Sequence, residues 1–389
     1  MSDLIRTIGW GLYCASSWTW CIGMFLPIIM LDRYGWPGLL VFAAPNVLGC
    51  AALGYVLTRD ASLGMVRRHL AAMRWFSVVT IAYHMFFIPF LAMRWTLPLP
   101  GLDASLPTPD WIGPALALGI FGVGLALSRA PQRAWPWLGA GAWLMSLGAF
   151  LWFGVDELGA RTWPTHGGEA LLWLAPTVIF GFLLCPYLDL TFHRARQAAP
   201  SRHAFGIFGA TFAVMLLFTA AYAGVISLPG VVFTHLLVQS TFTVGAHLRE
   251  LRATGDEHAA PAVSPTALAL LAVLAIPVVF IARVFDDPGR AGIDLYLRML
   301  VFYGLVFPAY VLLFIGPWRR LRRRRHTYAR FAMIILVCAP VYELGFIHGT
   351  TWLLAGPLAF LLLYATYGGL NRERAAESSS TGGPAAPHA

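Results

Sequence analysis

Seven ionisable side chains lie within or at the ends of long apolar runs: His84, Asp189, His235, His247, Arg298, Glu343 and His348. A charge at bilayer depth is costly, so each is either part of a proton or ion path or must find a partner. Asp189 and His193 stand four residues apart and share a face if one helix carries both, as an interfacial ion pair or as a proton relay. Glu343 can pair with Arg298 or Arg330, or serve in proton coupling. His84 and His235 could face each other across a haem, but there is no CxxCH and no second coherent pair. HExxH, GxSxG, GxGxxG and Walker sequences are absent. All 27 basic residues are Arg, which excludes a lysine Schiff base and a P-loop lysine. Cys14, Cys21, Cys50, Cys185 and Cys338 lie in apolar stretches without metal-type spacing and read as reduced packing residues. Neither an enzyme nor a cofactor is expected.

The elements that must position these groups are membrane helices. Of 389 residues, 58% are hydrophobic and 12% charged, against roughly 25% charged in a soluble domain. Mean hydropathy is +0.68. Twelve segments are long enough to span, over 8–31, 36–57, 73–94, 110–128, 134–154, 169–191, 203–224, 229–248, 265–284, 294–316, 328–347 and 350–368. Joining the fourth and fifth, which only Ser128 to Arg133 separate, would make eleven. Loops rich in Arg alternate with poor or mixed ones. Arg59, Arg67 and Arg68 precede the basic-free 95–109, and Arg194, Arg196 and Arg202 precede the uncharged turn at Pro229. The positive-inside rule then puts both termini in the cytoplasm, with a bacterial inner membrane as the expected location. The Arg319–Arg325 cluster is expected to meet anionic headgroups rather than nucleic acid. The tail 373–389 is small, polar and expected to be disordered.

Segments one and six carry helix-disturbing residues: Gly23 and Pro27 in one, Pro176, Gly181 and Pro186 in the other. Freed backbone groups are tolerated in a bilayer only inside protein or against a watery cavity. The topology gives the two segments opposite directions, and interrupted helices at matching places of two halves point to a transporter's central site.

Three stretches extend this pattern. They are Ala15-Ser16-Ser17-Trp18-Thr19 with Gly23-Met24-Phe25-Leu26-Pro27, the stretch GFLLCPYLDLTFHRARQ at 181–197, and Gln239-Ser240-Thr241-Phe242-Thr243. In order and orientation they resemble the first, sixth and eighth core helices of the sodium:solute symporter family, within the LeuT-type class. The resemblance implies an all-α membrane fold with a five-plus-five inverted repeat, residues 8–154 and 169–316 within a core of 1–316. Two further C-terminal helices fall within 317–372. It implies a sodium site between segments one and eight, with carbonyls of Ala15, Trp18 and Leu237 and hydroxyls of Ser240 and Thr241. It also implies a pocket for a small polar or amphipathic solute, with Ser17, Trp20, His84, Phe180, Tyr187 and His235 as candidates. Trp18 and Trp20 point to different sides if the helix is continuous. The expected activity is sodium-coupled symport. A solute sensor or scaffold without transport is one alternative. A membrane enzyme using His84, Asp189, His235 and Glu343 is another, and it would need those four together.

Overall fold

The first apolar segment does not form one helix. In a computed structural model that describes residues 2–94, 109–160, 162–164, 168–223, 228–256, 264–315 and 325–366, helix α1 (Asp3–Trp18) stops after Trp18. Helix α2 starts at Cys21 and runs to Ala44. Thr19 and Trp20 leave the helix between them, Trp20 in extended conformation (φ −74°, ψ 172°). The break therefore lies before Gly23 and Pro27, not at them. A proline inside a helix deprives one carbonyl of its donor. For Pro27, inside α2, that carbonyl belongs to Gly23, and it accepts the Thr219 hydroxyl at 3.0 Å instead.

A second break occurs in the sixth segment. Helix α7 (Gly168–Leu184) contains Pro176 and Gly181 without interruption, then passes into a 3₁₀ turn, Cys185–Leu188. Asp189 is extended and caps α8 (Leu190–Ala198), as a short acidic side chain does well. Its Oδ1 accepts the Thr191 N–H at 2.7 Å. Asp189 is thus outside the helix that carries His193, and the two side chains do not pair. His193 instead meets Ser62 Oγ at 2.8 Å and the Tyr187 carbonyl at 3.1 Å.

The remaining helices build around these four. From α2 the chain continues through a π-helical turn, Pro45–Gly49, into α3 (Cys50–Val56). Then follow α4 (Arg59–Arg94), α5 (Ile112–Leu127), α6 (Trp135–Phe153) and, after α8, α9 (Ala204–Tyr222). Beyond the short α10 (Pro229–Val231) and a π turn, α11 covers Val238–Asp256. Next come α12 (Pro265–Val273), α13 (Pro288–Met299), α14 (Phe307–Tyr310), α15 (Arg325–Tyr342) and a last helix, α16 (Thr351–Thr366). No strand occurs among the described residues.

Among the described residues eight helical stretches are long and apolar enough to cross a membrane. The difference from twelve has identifiable causes. The first two expected segments merge into one apolar stretch, Cys21–Val56, and those at 110–128 and 350–368 are the shorter helices α5 and α16. The segment at 229–248 runs on to Asp256 with a polar second half. Large apolar side chains such as Leu48, Trp152, Leu172, Leu336 and Leu363 are exposed on the outside, as an integral membrane protein requires. Most of 319–325 and all of 373–389 lie outside the described residues.

Helix α4 is the central post. It has 36 residues, more than a perpendicular crossing needs. It packs on α5, α8, α11 and α12. Helix α1 packs on α6 and α9, α11 on α5, and α2 on α7 and α9. Close approach of α1 to α6 depends on Gly139, where a Cβ would come within 2.5 Å of the Tyr13 Cα. The Gly139 carbonyl then accepts the Ser16 hydroxyl at 2.9 Å. All five cysteines are free and buried. Glu343 is paired with Arg298, at 3.0 Å from Nε. At the surface the Arg283 guanidinium beside Asp110 holds its carboxyl below the usual carboxylate range.

Within the merged stretch, Gly35 (φ +63°) turns the chain, and a Cβ there would lie 1.8 Å from the Pro164 carbonyl oxygen. Gly35→Ala is expected to destabilise by more than the ~1 kcal/mol that a positive φ alone costs. Gly356→Ala meets nothing within 4 Å and should leave stability unchanged or slightly raised. Thermal unfolding of the two variants in one detergent checks this.

Candidate functional site

The two breaks lie side by side. Thr191 Oγ1, in the first turn of α8, donates to Ser17 Oγ at 3.1 Å, and Ser17 Oγ donates to the Cys14 carbonyl at 3.2 Å. The Trp18 ring packs on Phe192, with centroids 4.8 Å apart. Its indole N–H donates to Asn46 Oδ1 at 3.0 Å, and Asn46 is held by the Phe42 carbonyl. Because the helix stops between them, Trp18 and Trp20 do not diverge. Their rings are 4.2 Å apart, tilted by 53°.

Trp20 is the hub of an aromatic cluster. It touches Phe76 at 5.3 Å, Tyr303 at 5.2 Å and His247 at 6.3 Å, and its indole N–H is taken by the Ser17 carbonyl. Thr80 donates to the Phe76 carbonyl at 2.9 Å, and its Oγ1 lies 3.0 Å from the Tyr303 hydroxyl. A hydroxyl has one proton to give, so Tyr303 is the donor in the second bond. His84 Nε2 accepts the Cys21 N–H at 3.2 Å. Its Nδ1 faces the Thr80 carbonyl at 2.8 Å. A carbonyl can only accept, so Nδ1 carries the proton and the imidazole is held as one neutral tautomer. The exposed N–H at the start of α2, where an anion would otherwise be favoured, is thus capped by the protein's own imidazole. His247 Nδ1 meets Ser77 Oγ at 3.1 Å, and its Nε2 has no partner among the described residues.

The expected pocket is therefore only partly assembled. Ser17, Trp20 and His84 come together. His235 belongs to a separate cluster, with Ser146 Oγ at 2.9 Å and the rings of Phe218 and Tyr222 around it. Gln239 completes that cluster, donating to Ser146 Oγ at 2.7 Å. His84 and His235 thus answer to different neighbours and do not frame a haem. Phe180 and Tyr187 are half-buried, and among the described residues no ring contact joins either of them to Trp20. Phe76, Thr80 and Tyr303 were not expected, because aromatic and Thr residues in apolar helices read as packing.

Of the five atoms expected around a sodium ion, the Ala15 carbonyl accepts both the N–H and the hydroxyl of Thr19. The Leu237 carbonyl accepts the Thr241 hydroxyl at 2.7 Å. Ser240 Oγ is buried without a partner among the described residues. A hydrogen bond joins α1 to α11, from Thr243 Oγ1 to the Ser16 carbonyl at 3.2 Å, beside the ring contact of Tyr13 with Phe242. Thr243 lies three residues after Ser240 and shares its face, whereas Thr241 is turned about 100° away. That spacing was readable in the sequence.

A cleft opens from one end of the molecule down to Tyr303. It lies between α2, α7, α13 and the 345–351 turn. Leu26, Met30, Arg33, Val178 and Phe182 line it. Tyr303 thus separates the cleft from Trp20. At the far end α8 is locked to α11. Arg194 makes bonds of 3.0–3.2 Å to both oxygens of Glu250, which Arg249 also meets. No group of three His, Cys, Asp or Glu among the described residues could hold a metal. No family model and no curated protein matches the chain.

Removing the His84 ring leaves the buried Cys21 N–H unpaired. His84→Ala should cost about 1–3 kcal/mol. The check is the thermal unfolding midpoint in detergent, with His84→Gln as the variant expected to recover part of the loss.

Proposed function

We propose that the chain is a secondary transporter of LeuT-type architecture. It would move a small polar or amphipathic solute by alternating access, driven by sodium. The observation that carries the reading is the pair of adjoining helix breaks at Thr19–Trp20 and Cys185–Asp189, with a cleft above them and an ion-pair lock beyond. Such half-helix ends present carbonyls and N–H groups to a ligand at membrane depth without a permanent charge.

The inverted repeat is supported by packing that matches when five helices are traded for five. The contacts of α1 on α6 correspond to those of α7 on 302–306 and α14. Those of α1 on α9 correspond to α7 on the 45–49 turn, and those of α4 on α12 to α11 on α5. Counting α1 with the first half of α2, and α7 with α8, as single crossings gives twelve, ten in the core and two from α15 and α16. With both termini cytoplasmic, the cleft faces outward and the Arg194–Glu250 lock faces inward.

Dispersal of the ionisable groups favours transport over catalysis. His84 caps α2, Asp189 caps α8, His235 sits with Ser146, and Glu343 pairs with Arg298 at the periphery. They share no cleft. Sodium would enter between α1 and α11, where Ser240 Oγ is free to ligate and the Ser16–Thr243 bond can open. Binding there would strengthen solute binding, and the reverse, by the same factor.

A ligand that binds only the native state raises stability by RT ln(1 + [L]/Kd), about 2.7 kcal/mol at a hundredfold excess over Kd. Thermal unfolding with sodium titrated against potassium at constant ionic strength should give a saturable, sodium-specific rise. Ser240→Ala should abolish it. Thr241→Ala should weaken it less, because that hydroxyl is already engaged by Leu237. Identical curves in the two cations would remove sodium coupling from the account.

A further inference from the structure

Asp189 is a completely buried carboxyl whose two oxygens have different circumstances. Oδ1 accepts the Thr191 N–H at 2.7 Å, and Oδ2 has no hydrogen-bond partner among the described residues. Among the described residues no Arg or His side chain forms an ion pair with it. Arg194, five residues on, is engaged with Glu250, and both His193 nitrogens are engaged by Ser62 and Tyr187. The titratable groups that face it are Tyr13 and Cys14 from α1, Cys50 from α3 and Cys185 from the preceding turn. Tyr303, and Glu250 with its two arginines, complete the set.

An ionised carboxylate in such surroundings loses hydration worth many kcal/mol and receives in return only the neutral donors of the first turn of α8, from Thr191 and Phe192. Its charge must be cancelled by a bound cation or by a proton. A sodium ion needs a shell of oxygen ligands. Here the nearby hydroxyls of Thr191 and Ser17 are already bonded to one another and to the Cys14 carbonyl, and the thiols of Cys14, Cys50 and Cys185 are soft ligands that suit a hard monovalent cation poorly. A proton needs only the free lone pair on Oδ2.

We infer that Asp189 is a proton-binding site, occupied while the break between α7 and α8 is packed closed. When α8 leaves α11 and water reaches the break, the Asp189 O–H bond breaks. The proton passes to water as hydronium, and the carboxylate left behind keeps both electrons of that bond and remains the cap of α8. Occupancy of the site stands without the transporter reading; the release on opening rests on it.

Infrared spectroscopy of the full chain in detergent tests the site directly, with no added ligand. At neutral pH the protein should show the C=O stretch of one protonated carboxyl, shifted in D₂O. It should disappear at a pH well above the value of about 3.9 at which an ordinary Asp titrates. Asp189→Asn, which keeps the α8 cap, should lose this band, and Glu343→Gln should retain it. Absence of the band in the wild type, or its persistence in Asp189→Asn, overturns the inference, and the wild-type titration decides it even if the variant misfolds. Adding sodium to weakly buffered protein should release up to one proton per chain, and none from Asp189→Asn. Equal release from both would overturn the coupling step. A missing sodium effect with the band present would instead reject the sodium reading and leave the proton site standing.

Discussion

The Cys21 N–H is freed because Thr19 and Trp20 leave the helix, and it lies where no water can take it. His84 reaches across from α4 to accept it, and Thr80, one turn earlier on α4, fixes the imidazole tautomer that can do so. The other end of the break is closed from within, as Thr19 returns both of its donors to the Ala15 carbonyl. In a bilayer each unpaired backbone group costs several kcal/mol. These few bonds therefore decide whether the first crossing can be broken at all. Once it is, Trp20 is fixed against Phe76 and Tyr303, and the breaks of α1–α2 and α7–α8 are linked by Ser17 and Thr191.

The same economy explains the distribution of charge. Membrane-facing surfaces are apolar, and polar side chains such as Thr219 on the Gly23 carbonyl and Asn46 on Trp18 enter the bundle neutral and locally satisfied. The strong ion pairs are set where two elements must be held. Arg194 and Arg249 with Glu250 hold α8 to α11, and Arg298 with Glu343 holds α13 to the turn after α15. Asp189 departs from this rule, with no counter-charge bonded to it among the described residues. The cleft and the lock occupy opposite ends, so the conformation is closed on one side and open on the other as far as Tyr303.

Much of this was legible from residue types. Long apolar runs gave the all-helical, membrane-protein character, though not the number of long helices, and a glutamate inside one of them, Glu343, called for a partner such as Arg298. The breaks fall in the two expected segments, in the sixth at the expected Pro186 but in the first before Gly23 and Pro27. Pro27 and Pro176 are conspicuous in sequence, yet each is tolerated within a helix. The break at Cys185–Asp189 has a local signal in Pro186, whereas that at Thr19–Trp20 is set by tertiary partners, His84 on α4 above all, that no local pattern records. Assuming a continuous helix sent Trp18 and Trp20 to different sides and put Asp189 on the face of His193. Tyr303 was hidden because its role comes from what lies on either side of it. Thr243 was hidden only by the choice of Thr241, although its spacing from Ser240 already put both on one face.

The central claim is that the two ends of the molecule open in alternation. Spin labels at Asp32 and Trp352 would report on the cleft, and labels at Arg129 and Pro200 on the locked end. All four positions are exposed, and the five native cysteines are buried. Pulsed electron-paramagnetic-resonance distances should be measured for both pairs in sodium and in potassium. The account predicts reciprocal changes, with a population in which the 129–200 distance lengthens as the 32–352 distance shortens, and a cation-dependent balance between the two. Single, fixed distances for both pairs in every condition would contradict it.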